Sequence, residues 1–189
     1  MKTKAFFFMV CIWLLATNGF AQNTIKGNGN IITKEISISD YDEISYVGKV
    51  NIEYEQSNAS PSFKITIDEN ILPHLNIKVK GKKLIIQPKD EKKVLNGRSY
   101  GLNLQPTVCE IKTNSRELKE INAIGGGEFV AKSPLKGDKL DISIAGSSTI
   151  NFDKQLEARK INFSVAGSGD INATKLKVDN LDCSVAGSG

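Results

Sequence analysis

The side chains able to do chemistry are few and scattered. His74 is the single histidine of the 189-residue chain. It sits in Ile71-Leu72-Pro73-His74-Leu75, with no second histidine and no nearby cysteine to complete a metal site. A serine or cysteine triad would have to use His74, and no Gly-x-Ser-x-Gly elbow leads from a strand into a helix. Cleavage of a glycosidic or pectate bond needs converging carboxylates, or aspartates holding calcium beside a basic group. Here Glu128, Thr149 and Asp170 share one position of a repeat, and Asp141, Asn162 and Asp182 another, so both series of carboxylates are interrupted. Gly167-Ser168-Gly169-Asp170-Ile171 is similar to glycine-aspartate calcium repeats, which return about every nine residues with an aspartate in each copy. The period here is longer, and Asp170 is the sole aspartate at its position. The expectation is therefore no catalytic residue, no metal and no cofactor.

What does recur is small and polar. Ser143, Ser164 and Ser184 form one series. Ser147, Ser168 and Ser188 form a second, and Asn151 with Asn172 a third. Such ladders can hydrogen-bond an extended glycan or a strand of another protein. Stacked Ser and Asn side chains also stabilise turns without binding anything.

These series exist because the chain repeats. Ile144-Ala145-Gly146-Ser147-Ser148-Thr149-Ile150-Asn151 returns as Val165-Ala166-Gly167-Ser168-Gly169-Asp170-Ile171-Asn172, and begins again at Val185-Ala186-Gly187-Ser188-Gly189. An earlier, degenerate copy is Ala123-Ile124-Gly125-Gly126-Gly127-Glu128-Phe129. Gly125, Gly146, Gly167 and Gly187 are 21, 21 and 20 residues apart. Superposing the copies gives apolar columns: Ala123, Ile144, Val165, Val185; Ile121, Ile142, Phe163, Cys183; Leu140, Ile161, Leu181; Phe129, Ile150, Ile171; and Leu135, Leu156, Leu176. Within a copy, Leu140-Asp141-Ile142-Ser143-Ile144 alternates with the period of a half-buried strand. No copy holds an uninterrupted helical pattern of about ten residues. The expected fold is all-β, a parallel β-helix of about 20–21 residues per coil. Its strands would stack about 4.7–4.9 Å apart with Ala-Gly-Ser-Gly corners.

Residues 1–21 read as a secretory signal peptide. Lys2 and Lys4 precede an apolar run from Phe6 to Ala16, and Gly19-Phe20-Ala21 supplies small residues for cleavage between Ala21 and Gln22. The apolar run is too short for a membrane span, and the following chain offers no transmembrane anchor. Residues 22–189 then make one domain, with an irregular capping half over about 22–115 and regular coils over about 116–189. Without Lys2 and Lys4 the chain carries 23 basic and 21 acidic residues, a balance that does not point to nucleic acid. Strands are expected at 31–38, 44–54, 62–68, 76–80, 83–87 and 107–112. One helical turn is expected within 68–75, capped by Asp68 or Asn70, and a polar loop over 96–106. Cys183 stacks three coils above Ile121, and Cys109 lies earlier still. Three strand spacings are about 14 Å, whereas a disulfide needs Cα atoms within about 7 Å. Two buried thiols are expected. The chain stops at Gly189, inside a corner whose two earlier copies continue into another coil. The reading is a fragment, with self-association through an open end as the other explanation.

Four segments carry a resemblance to a known family: Gly27-Asn28-Gly29-Asn30-Ile31-Ile32, Asp40-Tyr41-Asp42-Glu43-Ile44, Asp68-Glu69-Asn70-Ile71-Leu72-Pro73 and the repeated Ser-Val-Ala-Gly-Ser-Gly-Asp-Ile. Together they resemble the family named "putative auto-transporter adhesin, head GIN domain", over about Gly27 to the end. The resemblance implies an exported domain of Bacteroidetes-type bacteria with a right-handed β-helix fold and further Gly-Ser-Gly coils. An auto-transporter also implies a C-terminal membrane barrel, of which this sequence carries no trace. Three functions follow. The first is a non-enzymatic module at the periplasm, cell surface or outside the cell, meeting a glycan or a cell-surface protein. The second is a pectinase-like enzyme, which demands a groove lined by clustered charged residues. The third is an assembly module completed by another chain.

Overall fold

A computed structural model of the chain describes residues 23–89, 93–95, 98–100 and 102–189. The proposed cleavage point at Ala21 and Gln22 lies outside the described residues. The first strands are β1 (Asn23–Lys26), β2 (Ile31–Glu35), β3 (Glu43–Lys49), β4 (Asn51–Gln56) and β5 (Phe63–Asp68). A 3-10 turn at Leu72–His74 precedes β6 (Leu75–Lys80) and β7 (Lys83–Pro88). Then come β8 (Lys93–Leu95), β9 (Arg98–Tyr100), β10 (Leu102–Gln105), β11 (Cys109–Ser115), β12 (Glu120–Gly126) and β13 (Glu128–Ala131). The repeat supplies β14 (Leu135–Gly146), β15 (Thr149–Phe152), β16 (Leu156–Gly167), β17 (Asp170–Ala173) and β18 (Leu176–Gly187).

These strands build two seven-stranded sheets and two two-stranded ribbons, β1-β10 and β8-β9. The first runs β17-β15-β13-β4-β11-β5-β2 and the second β18-β16-β14-β12-β3-β7-β6. The expected right-handed parallel β-helix is not what the chain forms. Both sheets are mixed: β5 lies antiparallel to β11 and to β2, and β6 lies antiparallel to β7. The described residues form no closed solenoid. The physical reason lies in the first half of the chain. Lys80-Gly81-Lys82 turns β6 straight back onto β7, so the pair is a hairpin. Strands β3 and β4 insert beside β12 and β13 from far away in sequence. The capping half is thus woven into both sheets, and β10 occupies part of the stretch expected as a loop. The 3-10 turn also departs from expectation, since its first position follows Ile71 and no side chain caps it.

Parallel in-register stacking does hold within the repeat. Gly125 pairs with Gly146, Gly146 with Gly167, and Gly167 with Gly187. Ile121, Ile142 and Phe163 align, as do Phe129, Ile150 and Ile171. Inward positions bury almost completely, Ile121 and Ile161 to 0% exposure and Ile142 to 1%. Each such side chain contributes about 1.5–3 kcal/mol of transfer free energy. One core cluster joins Tyr46, Tyr54, Phe63, Ile86, Phe129 and Ile142 across both halves. The Tyr54 and Phe129 rings stack across β4 and β13 with centroids 5.8 Å apart.

The corners explain the glycine. Gly146 has φ 125°, and a Cβ there would lie 2.3 Å from the carbonyl oxygen of Gly125 in the coil below. Both backbone conformation and close approach therefore require glycine. The next amide completes the corner: Ser147 N donates to Gly125 O at 2.7 Å, and Ser168 N to Gly146 O at 2.8 Å.

The two cysteines divide. Cys109 is buried, but Cys183 is exposed, against the expectation of two buried thiols. Cys183 lies on β18, the edge strand of the second sheet, with β16 as its only strand neighbour among the described residues. Stacking above Phe163 places it in the apolar column without burying it.

Candidate functional site

The outer face of the second sheet is where chemistry-bearing side chains collect. Alternation sends Leu140, Ile142 and Ile144 inward, and Asp141, Ser143 and Ala145 outward. Parallel register then converts each outward position into a row crossing the strands. One row runs Ser45, Asn122, Ser143, Ser164, Ser184. Beside it runs Lys83, Glu43, Glu120, Asp141, Asn162, Asp182. On the other side lie Val47, Ile124, Ala145, Ala166 and Ala186. A shallow cleft in this face is lined by Glu120, Asn122, Asp141, Ile142, Ser143, Asn162 and Ser164.

The acidic row is held by donors. Lys83 Nζ lies 2.9 Å from Glu43 Oε2 and 2.9 Å from Glu120 Oε1. Its ammonium is held above the ordinary lysine range, first by the hydrogen bond to Glu120 and next by that to Glu43. Asn122 Nδ2 donates to Glu120, Asn162 Nδ2 to Asp141 Oδ1 at 2.5 Å, and Lys139 pairs with Asp141 at 2.5 Å. A glycosidase acid depends on a carboxyl set in an apolar pocket. These carboxylates instead lie on an open sheet face, already engaged by amides and ammoniums.

The eight polar residues singled out from the sequence fall in three places. Ser143, Ser164 and Ser184 are exposed on the outer face of the second sheet. Ser147, Ser168 and Ser188 stand exposed at the corners, their amides bonded to the coil below. Asn151 and Asn172 lie on the first sheet: Asn172 Nδ2 donates to Asn151 Oδ1 at 2.8 Å, and Asn151 Nδ2 to Glu128 Oε1 at 2.6 Å. The Asn pair and the Ser row therefore do not share a surface. Sequence reasoning missed Ser45, Glu43 and Lys83, because in the first half of the chain the repeat survives only as the corner Val47-Gly48-Lys49-Val50, whose Gly48 pairs with Gly125. It also missed Glu120, which precedes Ile121 at the position of Asp141 and could have been added by extending the column one copy back.

Some features bear on ligand class. Among the described residues, the large apolar side chains that stand exposed are Ile31, Ile124, Leu181 and Val185, none aromatic. No three His, Cys, Asp or Glu of the described residues gather to hold a metal ion. His74 is half-buried at the end of the 3-10 turn, its amide donating to Ile71 O at 2.9 Å. No helix among the described residues is long and apolar enough to cross a membrane.

Two mixed sheets with a glycine-cornered repeat and rows of small polar side chains define a β-rich module suited to surface contact. The chain belongs to the family described as "Putative auto-transporter adhesin, head GIN domain", which matches residues 40–189. Solved structures agree. A protein from Parabacteroides distasonis described as a putative lipid binding protein is 45% identical, with a TM-score of 0.80 over 86% of this chain. The chain spans 65% of that protein's length. A putative adhesin from Parabacteroides merdae is 26% identical with a TM-score of 0.61, covering 86% of this chain and 80% of its own. A second Parabacteroides distasonis protein, also described as a putative adhesin, is 28% identical with a TM-score of 0.58, covering 87% and 82%. No curated protein matches the chain.

Proposed function

We propose that the protein is a non-enzymatic, exported module of the cell envelope or surface that binds an extended polar polymer, a glycan, across the outer face of the second sheet. The carrying observation is the in-register row Asn122, Ser143, Ser164, Ser184 beside the row Glu120, Asp141, Asn162, Asp182. Together they offer hydrogen-bonding groups at the strand spacing, about 4.8 Å, along a line crossing four strands. Without exposed aromatic side chains on the described surface, recognition works through hydrogen bonds to hydroxyl groups, not ring stacking. The adhesin descriptions of family and relatives support a surface role.

The test incubates the protein with a panel of plant, host and bacterial polysaccharides, following bound protein and released oligosaccharide together. Binding without release, lost in a Ser143→Lys/Ser164→Lys double variant that melts normally, is the expected result. Release of oligosaccharide would favour the pectinase-like enzyme instead. Binding that survives the double variant would move the contact off this face. With neither binding nor release, the assembly module stands in front.

A second reading is binding of an apolar ligand. A second cleft, at the corner between β3 and β4, is walled largely by carbon, and the 45% identical relative carries a lipid-binding description.

A further inference from the structure

The cleft behind this second reading has an internal logic of its own. It holds about 210 Å³ and is walled by Val47, Val50, Ile71, Leu75, Leu104 and Cys109 among others. Its floor belongs to the core, with Ile71 at 0% exposure and Val50 at 3%. The Cys109 thiol, pushed up to about 12 by burial and then by the charge of Asp68, stays an S–H and behaves as an apolar side chain. An opening lined this way gains little from water, which needs two to four polar partners. It gains from alkyl carbon. For scale, an apolar cavity of about 150 Å³ accepts benzene, so this cleft suits one alkyl segment and not a two-chain lipid.

Its roof is a strap. Leu102, Asn103 and Leu104 line the cleft from β10, which among the described residues pairs, in parallel, only with β1. Both strands leave the ribbon toward one carboxylate. Asp68 Oδ1 accepts from Gly29 N at 2.8 Å, just after β1, and Asp68 Oδ2 accepts from Thr107 N at 2.7 Å, just after β10. Among the described residues the ribbon shares no ladder with either large sheet, and it rests on the core through Ile25 and Leu104, with the cleft beside that contact.

Lys49 supplies the direction. It is the one charged side chain lining the cleft among the described residues, and it is exposed at the corner between β3 and β4. We infer that the cleft binds a single-chain anionic amphiphile of the fatty carboxylate class, its alkyl segment between the core and β10 and its carboxylate at Lys49. This inference rests on the second reading above and adds to it the single chain, the anionic head and the residue that meets it.

Titration calorimetry with hexanoate, octanoate, decanoate and the matching alcohols, all below their aggregation limits, tests it on the full chain. Affinity is expected to rise about fourfold per methylene, as the transfer free energy of a buried methylene dictates, and to level off once the cleft is full. Decanoate is expected to bind about tenfold more tightly than decanol, and Lys49→Gln, a change at an exposed side chain, to erase that difference without weakening the alcohol. Leu104→Trp, which fills the cleft, is expected to abolish binding of both, with the melting temperature confirming that it folds. Equal affinity for acid and alcohol, unchanged in Lys49→Gln, would overturn the anionic head while leaving an apolar ligand in place. No binding by any member of the series, or binding undiminished in Leu104→Trp, would overturn the apolar-ligand reading itself.

Discussion

Asp68 shows how much one side chain can organise. It is fully buried, and it accepts backbone hydrogen bonds from Gly29, Thr107 and Val108. Burial pushes its carboxyl upward, but the Gly29 amide, the Thr107 side chain and the Thr107 and Val108 amides together outweigh burial and hold it below the ordinary aspartate range. Even its neighbour is dictated, since a Cβ at Gly27 would lie 2.4 Å from Asp68 Oδ1. Because the folded value is depressed, its stabilisation is complete above the unfolded value of about 3.9 and is lost as pH falls through the folded value. Asp68→Ala should destabilise by about 1–3 kcal/mol, the cost of orphaned buried donors, and should flatten the acid limb of stability against pH measured by urea unfolding. Tyr46 makes the alkaline counterpart. Burial pushes its hydroxyl up to about 12, with the Ser148 hydroxyl pulling partly the other way, yet neither hydroxyl completes a hydrogen bond. A raised acid favours the protonated fold, so its stabilisation is present below about pH 10 and is lost as pH climbs from there toward 12. Tyr46→Phe removes a buried, unpaired hydroxyl. It should leave the neutral-pH melting temperature equal or higher, and it should shift the alkaline transition upward.

Among the elements, the corners and the edge strand separate what repeats from what does not. Replacing Gly146 by Ala places a Cβ against Gly125 O in a left-handed backbone, and strain of this kind is worth about 1–3 kcal/mol. The same change at Ser147, exposed at the corner, should move stability by less than about 0.5 kcal/mol. Chemical denaturation of the two variants side by side checks the contrast. The columns that align these glycines were legible, because a period of about twenty puts like residues on like. Burial was not, because it depends on a neighbour on each side. Cys183 shares its column with Ile142 but sits on an edge strand, so a thiol reagent should label Cys183 in the folded protein and Cys109 only on unfolding. Mass spectrometry of labelled native and denatured samples distinguishes the two.

For the molecule as a whole, the decisive fact is where β3 and β4 go. They lie against β12 and β13, and Tyr46 and Tyr54 reach the same core as Phe129 and Ile142. A fragment of residues 116–189, which sequence reasoning treats as the regular half, loses that cover over Ile121, Ala123 and Phe129. It should be aggregated or unfolded by gel filtration and circular dichroism, whereas residues 22–189 should give a folded species. The surface follows the same logic. The Ser143, Ser164, Ser184 series, with Asn122 one copy back, was visible from spacing alone, but its extension to Ser45, and the Lys83 bridge between Glu43 and Glu120, required strands 37 to 77 residues apart in sequence to meet. The sequence by itself determined the strand type, the inward and outward alternation, the in-register repeat with its glycine corners and the family, because these depend on local period and on identical neighbours stacking. Tertiary structure alone decided the two mixed sheets in place of a parallel β-helix, the exposure of Cys183, the strap over the apolar cleft and the full rows of the polar face. Those depend on long-range pairing, where no local period distinguishes a parallel partner from an antiparallel one.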